Sequence, residues 1–473
     1  MFGVSDGRDH ERPRGAGPSR LATVLAVTTR TFRRGLFAAA VLGLAVRVAY
    51  ILIVRHDVVL GGDPFFYHFG ARLLVEGHGF IEPTPFINGI VEQSASHPPL
   101  YLLYLAIPTS VGLDGPVSHM LWSSLLGVAS VVLIGLTAKE VAGPRVGLVA
   151  ATVAAVYPNL WIFDGFVVSE TMALFTAVLS VYLAYRYLRS PSVWRALGLG
   201  FVCGLASLAR AELVLLLPLL VLPCVLFMRR TDATAKLKGL VVAGLAALIP
   251  IAPWVTFNLT RFDDPVFLST GLEPTMLGAN CDATYYGDLT GYFTPKCTET
   301  AGRRYKPGDD QSVRNAISRD IVRDYISDHK GRAAVVVLTR WGRITGLYRP
   351  AQQVRLDREV EGREGWVALA SLFSFYVVGA LAIAGGVIIR RRRRVPVFPL
   401  LVPPVIVLFA VALSLGSNRY RATTEGALVV LAAVTIDAAI GRLRKRSGRG
   451  DVARVDEPPT DHVAPAEAPA PQS

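Results

Sequence analysis

The chain has 473 residues, of which 52% are hydrophobic and only 18% are charged, and its mean hydropathy is +0.42. Soluble globular proteins carry about 25% charged residues. Here the apolar residues are concentrated in blocks of about 17–25, the length that crosses a bilayer core of roughly 30 Å. These features exclude a soluble enzyme, a secreted disulfide scaffold and a disordered protein, and they predict an all-α polytopic membrane protein.

The net charge of +13 results from 49 basic and 36 acidic residues. A basic protein can bind nucleic acid, but the arginines here lie in short clusters at the ends of apolar blocks. Such clusters fix the orientation of membrane spans, because cationic loops stay on the cytoplasmic side. The charge therefore predicts topology and a lipid bilayer as partner, and no nucleic acid.

Ten membrane spans are predicted, and the first is not a signal peptide because it is too long and contains Arg47. The predicted spans cover residues 36–54, 119–137, 146–163, 169–188, 196–209, 212–228, 238–257, 365–389, 396–416 and 424–440. They divide the chain into a disordered cytoplasmic N-terminus (1–35), a membrane core (36–257), a second long extracytoplasmic loop (258–364), the C-terminal transmembrane helices (365–440) and a disordered cytoplasmic tail (441–473).

Alternating these spans from a cytoplasmic N-terminus separates the basic residues by side. On the other side, the short connections contain only three basic residues, Arg210, Arg419 and Arg421. The cytoplasmic connections contain Lys139, Arg145, Arg186, Arg189, Arg195, Arg229, Arg230, Lys236, Lys238, Arg390 to Arg394, Arg442, Arg444, Lys445 and Arg446. This asymmetry indicates that both termini are cytoplasmic.

Two long loops, residues 55–118 and 258–364, lie on the extracytoplasmic side in this topology. Loops of this length usually carry function. Within the second, residues 333–348 are apolar but interrupted by Arg340 and Arg343, which predicts an interfacial helix, with a membrane-inserted segment as the alternative. The preceding residues 312–332 predict a second helix on the membrane surface. Its apolar face carries Ile317, Ile321, Tyr325 and Ile326.

Two of the four cysteines, Cys281 and Cys297, fall in the second long loop. An oxidising outer compartment permits a disulfide between them, and the alternative is two free thiols. Cys203 and Cys224 lie in apolar spans and are interpreted as packing residues.

The first long loop is the richest in polar residues that could do chemistry. Asp63-Pro64 predicts the start of a helix, with Asp63 as its cap and Pro64 in the first turn. His97-Pro98-Pro99 predicts the start of the next interfacial helix. An aspartate held at a membrane surface can also serve as a general base. No cofactor is predicted, and the alternative is a divalent metal bound by Asp63, His68, His78 and His97.

An ordered set of short motifs extends through most of the chain, over about residues 36–440. These motifs are Asp63, Tyr67-His68, Ala71, Gly77 and Gly79, then His97-Pro98-Pro99-Leu100-Tyr101, Ser169-Glu170-Thr171, Leu208-Ala209-Arg210-Ala211-Glu212, Pro253-Trp254 with Asn258, and Arg419-Tyr420-Arg421. With these motifs the chain resembles the polytopic GT-C glycosyltransferases, specifically the bacterial aminoarabinose transferase and protein O-mannosyltransferase-like branch (glycosyltransferase family 39-like). Many relatives have a second acidic residue after the first-loop aspartate. Here that position is Pro64, which disfavours a two-carboxylate or metal-bound site.

The resemblance implies a bundle of about ten helices in a bacterial plasma membrane. It further implies inverting transfer of a sugar from a polyprenyl-phosphate donor to an envelope lipid, glycan or protein at the extracytoplasmic face. Asp63 is then the candidate base. The candidate substrate-binding residues are Tyr67, His68, His97, Glu170, Arg210, Arg419 and Arg421.

Each candidate also has a structural interpretation. Arg419 and Arg421 can be interfacial anchors, Arg210 and Glu212 a local ion pair, and Glu170 a favourable charge at a helix N-terminus. Arg47 should face the bundle and pair with a carboxylate. Two other functions stay open: a transporter or flippase of lipid-linked sugars, and a non-enzymatic scaffold for envelope assembly.

Overall fold

The structure is a computed structural model that describes residues 28–227, 232–392 and 395–455. Predictions made for residues 1–27 and 456–473, and for Arg229, Arg230, Arg393 and Arg394, lie outside these ranges. The described residues are overwhelmingly helical, and their one pair of β-type residues is an isolated bridge between Ile81 and Gln93. This confirms the predicted all-α fold class.

Twenty α-helices follow one another in the described chain, joined by short 3-10 and π segments. They are α1 (Thr29–Val54), α2 (Asp63–Val75), α3 (Pro83–Ile87), α4 (Leu100–Thr109), α5 (Pro116–Ala142), α6 (Pro144–Val156), α7 (Pro158–Trp161), α8 (Glu170–Arg189), α9 (Val193–Ala209), α10 (Leu222–Leu226), α11 (Ala233–Leu259), α12 (Leu272–Gly278), α13 (Asp282–Tyr285), α14 (Glu299–Gly302), α15 (Gln311–Asp328), α16 (Lys330–Ile344), α17 (Pro350–Glu359), α18 (Gly365–Arg392), α19 (Phe398–Leu413) and α20 (Ala422–Val455).

Each of the ten predicted spans is helical, but the lengths of these helices divide them into two groups. Six helices are long and apolar enough to cross a membrane, and a bent pair makes a seventh. The other three predicted spans are apolar helices of 10–17 residues, at Val193–Ala209, Ala211–Leu226 and Phe398–Leu413. The multi-pass membrane architecture is therefore confirmed, while length and composition support six or seven full spans within the described chain.

Both ends of the predicted membrane region are more helical than the sequence suggested. Thr28 caps α1 by accepting a hydrogen bond from the backbone N–H of Thr31, so the helix begins inside the predicted disordered segment 1–35. The last helix, α20, continues to Val455, so residues 441–455 are helical where a disordered tail was predicted.

The bend between α6 and the segment Pro158–Gly165 is caused by Pro158. The residue before a proline is driven out of the helical region, and Tyr157, before Pro158, is extended at φ −71° and ψ 117°. The chain turns there by 72°. The turn brings the following 3-10 segment, with Asp164, against α1 and α8.

Arg47, inside α1, finds its predicted carboxylate partner at this bend. Its Nε donates to Asp164, and its two other nitrogens donate to the carbonyls of Gly43 and Leu160. Thr171 donates a second hydrogen bond to Asp164. Arg47 and Asp164 are fully buried. A buried ion pair is stable only when its remaining groups are hydrogen-bonded, so this cluster fixes α1 against the starts of α7 and α8.

The second long loop forms helices α12 to α17, and both predicted interfacial helices are present as α15 and α16. The face of α15 that is buried differs from the predicted apolar face. It carries Gln311, Ser312, Asn315, Ser318 and Val322. The polar residues of this face form hydrogen bonds, and Val322 lies in a small apolar cluster against which the predicted Ile321 and Ile326 pack, partly buried. Ile317 and Tyr325 are half-buried.

Two arginines of α16, Arg340 and Arg343, point into protein. Arg340 donates to the carbonyls of Ala412 and Ala279, and Arg343 donates to the carbonyl of Thr290. These bonds join α16 to the end of α19 and to the loop closed by the Cys281–Cys297 disulfide, whose Cα atoms are 5.6 Å apart. Cys203 and Cys224 are free and buried.

The two long loops are in direct contact. The side-chain oxygen of Gln311 accepts hydrogen bonds from the backbone N–H of Ala95 and from Thr270, and its amide nitrogen donates to Glu82. Arg314 forms an ion pair with Glu92. Gln311 thus joins the second loop to the first through both ends of its side-chain amide.

We predict that cysteines at positions 95 and 270 cross-link the two loops. The backbone N–H of Thr270 donates to the carbonyl of Ala95 at 2.8 Å, which places the residues side by side, as a disulfide requires. Under oxidation, Ala95→Cys with Thr270→Cys should give a linked peptide detectable by mass spectrometry.

The matched control combines Ala95→Cys with Ser327→Cys, which is exposed on the far end of α15. This pair should stay unlinked. The contact between the loops would be contradicted if both cysteine pairs formed disulfides equally, or if the pair at positions 95 and 270 formed none.

Candidate active site

Asp63 lies at the beginning of α2, but it does not cap that helix. The N-cap is Gly62, in the left-handed region at φ 58°, where glycine has no steric penalty. The prediction that Asp63 caps its helix is therefore wrong. Its carboxylate, one-third exposed, is directed instead towards His97 Nε2 at 3.5 Å and towards Arg419.

Arg419 joins carboxylates from three separate parts of the chain. It lies in the 3-10 helix Asn418–Arg421 that precedes α20. Its Nε donates to Glu170 and its Nη2 to Asp63, while Nη1 lies 3.5 Å from Glu361. One guanidinium therefore connects the first long loop, the start of α8 and the end of the second long loop.

A second arginine binds the same glutamate. Arg210, at the end of α9, donates from Nη1 to Glu170 Oε1 at 2.9 Å and from Nε to Glu212 Oε1 at 2.7 Å. Its guanidinium also stacks over the ring of Tyr420, 4.8 Å from the centroid. The predicted local pair with Glu212 is present, and Arg210 also belongs to the Arg419 cluster through Glu170.

We call Asp63, His97, Glu170, Arg210, Glu212, Glu361 and Arg419 the outer charge cluster. These residues come from the ends of helices that the predicted topology places on the extracytoplasmic side. Four carboxylates surround two guanidinium groups. The carboxylates and guanidinium groups of the cluster together carry a formal charge of −2.

The protonation state of Asp63 is set by its neighbours. Burial among surrounding groups would raise the pKa of its carboxyl, but the positive charge of Arg419 and the contact with His97 outweigh burial. Together they hold that pKa well below its usual value. Asp63 is therefore ionised at neutral pH, and it can accept a proton.

Two buried polar atoms beside the cluster have no hydrogen-bond partner within the described chain. Both donors to Glu170 use its Oε1, which leaves Oε2 bare, and the hydroxyl of Tyr67 is also unpartnered. Burial, and then the charge of Asp63, raises the pKa of Tyr67, so its hydroxyl keeps its proton. A buried polar group without a partner is costly, so these two atoms leave hydrogen-bonding capacity unused beside the cluster.

Not every predicted site residue joins the cluster. His68 turns away and contacts His119, Nδ1 to Nδ1 at 3.3 Å, and His119 in turn contacts Thr109. His78 lies near Glu76 on the surface. The alternative metal site of Asp63, His68, His78 and His97 is therefore not assembled, and no other group of three or more His, Cys, Asp or Glu ligands occurs among the described residues.

Arg421 is also separated from Arg419, although only one residue lies between them. A 3-10 helix has three residues per turn, so positions i and i+2 point in different directions. Arg421 is buried and donates to Glu425, to Asn159 and to the carbonyl of Ile344. It packs between α20, α7 and α16, apart from the outer charge cluster, so its predicted role in substrate binding stays a prediction that the structure does not link to Arg419.

Sequence reasoning missed Glu361. It lies four residues before α18, at the end of the second loop, and 17% of its side chain is exposed. The available signal was its position, because an acidic residue just before an outer span end can face arginines at other outer span ends.

We predict that Arg421 contributes more to the stability of the folded protein than Arg419 does. Arg421→Lys keeps the charge but cannot make all three buried contacts, so the free energy of unfolding should fall by about 2–3 kcal/mol. Arg419 is 19% exposed, against 5% for Arg421, so Arg419→Lys should lower the thermal midpoint less. A larger loss at position 419 would contradict this division.

Residues 96–257, from beside His97 to the end of α11, match the family model described as dolichyl-phosphate-mannose-protein mannosyltransferase. This segment contains His97, Glu170, Arg210 and Glu212 of the outer charge cluster. No curated protein sequence matches the chain.

Among solved structures, the chain is similar to the oligosaccharyltransferase of Archaeoglobus fulgidus in its apo form. The TM-score is 0.53 at 14% identity, over 90% of this chain and 52% of that one. The same protein, AglB, in complex with an inhibitory peptide and a dolichol-phosphate, gives 0.52 at 14% identity, over 88% and 52%. ArnT from Cupriavidus metallidurans bound to undecaprenyl phosphate gives 0.42 at 14%, over 84% and 77%.

The chain thus spans about half the length of the archaeal oligosaccharyltransferase. At this level of identity the likeness shows the fold. The chain has the fold of the polytopic GT-C glycosyltransferases, and the resemblance predicted from its motifs is confirmed.

Proposed function

We propose that this chain is an inverting glycosyltransferase. It moves a sugar from a polyprenyl-phosphate donor to an envelope acceptor at the extracytoplasmic face of a bacterial plasma membrane. The observation that carries the proposal is the contact of Arg419 with Asp63 and Glu170. It places a candidate base beside a candidate phosphate-binding cation, at the end of a membrane bundle.

Asp63 is the proposed general base. The acceptor hydroxyl oxygen attacks the anomeric carbon of the sugar from the face opposite the phosphate, its proton passes to Asp63, and the bond from carbon to phosphate oxygen breaks. Asp63 is ionised and free of any helix-capping role, as this step requires. A lowered pKa weakens a base, so the step is favoured once a phosphate draws the charge of Arg419 away from Asp63.

Arg419 and Arg210 are the proposed partners of the leaving phosphate. Guanidinium groups bind phosphate through paired, charge-assisted hydrogen bonds. Glycosidases need a general acid because an alkoxide leaves poorly. A phosphate stabilised by two arginines is already a competent leaving group, so the cluster needs one base and no acid.

A lipid-linked donor is consistent with the place of the cluster at the ends of apolar helices. The matched family is described by a dolichyl-phosphate sugar donor, and one similar structure holds a dolichol-phosphate. On this basis we propose that the prenyl chain lies along the bundle and that the phosphate reaches the outer charge cluster. Tyr67, His97 and Glu170 would then contact the sugar or the acceptor.

The second long loop, residues 258–364, is proposed to cover the site and to shape acceptor choice. Gln311 and Arg314 join it to the first loop, and Glu361 brings its end to Arg419. A covered site excludes water, and this would limit hydrolysis of the donor.

The two other functions predict different structures or phenotypes. A transporter of lipid-linked sugars should place polar groups and broken helices near the bilayer midplane, whereas this cluster lies at the helix ends. A scaffold for envelope assembly would tolerate neutralisation of Asp63.

We predict that Asp63→Asn abolishes the activity. Loss of a general base typically lowers the rate by about 10²- to 10⁴-fold. Cells lacking the protein would be complemented with wild type, Asp63→Asn or Asp57→Asn at matched membrane levels, and their envelope glycans compared by mass spectrometry. Asp57 is exposed in the same loop and controls for loss of a carboxylate.

A sugar restored by wild type and Asp57→Asn, but not by Asp63→Asn, would identify the product and support the base. Equal restoration by all three would remove Asp63 as the base. It would also favour a transporter or a scaffold.

A further inference from the structure

The outer charge cluster poses an electrostatic problem for an anionic donor. Its four carboxylates outnumber its two guanidinium groups, and each nitrogen of Arg419 already faces a carboxylate. A phosphate that binds Arg419 must therefore displace one of these groups, because like charges at close range repel strongly in a partly buried site.

We propose that Glu361 occupies the place of the donor phosphate at Arg419 in the ligand-free protein, and that the phosphate exchanges with it. The inference rests on the proposed function, since it assumes a phosphate donor. It gives the second loop a defined part in the reaction, in which the carboxylate at its end leaves Arg419 when the donor binds.

Glu361 is the least firmly held of the three carboxylates. Asp63 and Glu170 both accept hydrogen bonds from Arg419. Glu361 Oε2 lies 3.5 Å from Arg419 Nη1, beyond a typical N–H···O hydrogen bond, and its Oε1 accepts from Ser417 at 3.2 Å. The Nη1 edge of Arg419 is therefore the edge that an incoming anion can take at the lowest cost.

The backbone around Glu361 is fixed independently of its side chain. Gly362, at φ 66°, makes the turn after α17. Arg55 donates to the carbonyl of Gly362 and to Glu364, and Arg363 donates to Asn418, all at 3.0 Å. The Glu361 side chain can therefore leave Arg419 for solvent without release of the segment that carries it.

The exchange also keeps Arg419 paired throughout. A buried cation that loses its partner is strongly destabilised, whereas replacing one anion by another preserves the pair. Asp63 and Glu170 hold Arg419 in position before and after the donor arrives, and Glu361 competes with the phosphate for the remaining Nη1 edge.

The test measures how tightly a polyprenyl phosphate binds to the full chain in lipid nanodiscs. The probes are undecaprenyl phosphate and undecaprenol, which lacks the phosphate, and the signal is the intrinsic tryptophan fluorescence. The proteins are wild type, Glu361→Gln and Glu359→Gln. Glu359 is exposed at the end of α17, so this control removes the same charge two residues away. Thermal midpoints check folding, and Glu361→Ala is the second variant.

Removal of the competing charge should tighten phosphate binding by about three- to tenfold, the effect of one unit charge a few Å away at a partly hydrated site. Both Glu361 variants should show this gain, and Glu359→Gln should bind as wild type does. Undecaprenol should bind all variants equally, because it carries no charge to compete with Glu361.

Unchanged or weaker phosphate binding by both Glu361 variants would overturn the exchange and leave the proposed function standing. If every protein, wild type included, bound undecaprenyl phosphate no more tightly than undecaprenol, the exchange would be overturned together with the proposed phosphate site.

Discussion

Arg419 is the group on which the organisation of the site depends. Its guanidinium holds Asp63 from the first long loop, Glu170 from the start of α8 and Glu361 from the end of the second long loop. Glu170 precedes Arg419 by 249 residues in the sequence, and Asp63 precedes it by 356 residues. A planar, permanently charged group with five donors can pair with several carboxylates in a fixed geometry. The proposed base and the proposed phosphate site therefore share one residue.

The membrane bundle supports this cluster through two buried ion pairs below it. Arg47 with Asp164 fixes the bend that follows Tyr157, and Arg421 with Glu425 fixes the start of α20. The remaining donors of both arginines bind carbonyl or amide oxygens, and Asp164 also accepts a hydrogen bond from Thr171, as burial of charge requires. The helix ends that carry Glu170 and Arg419 are thereby held in place, so the spacing between Glu170 and Arg419 is a property of the bundle.

Local patterns were enough to predict the apolar helices and the two loop helices and to select Asp63 and Arg419 as candidates, because apolar period and short motifs are local signals. Contacts between distant segments were not predictable. The partner of Arg47 is 117 residues away, and Glu361 meets Arg419 only after the second loop has folded. Arg421 was grouped with Arg419 from sequence, and a 3-10 turn separates them. Asp63 was expected to cap α2, but Gly62 takes that place.

Binding of the donor phosphate at Arg419 can be tested with a cryo-EM structure of the full chain in nanodiscs with undecaprenyl phosphate. Phosphate density is expected within hydrogen-bonding distance of Arg419, with Glu361 turned away and Asp63 facing the same space. Phosphate density elsewhere, such as beside Arg390 to Arg392 at the other end of α18, with Arg419 still held by all three carboxylates, would contradict it.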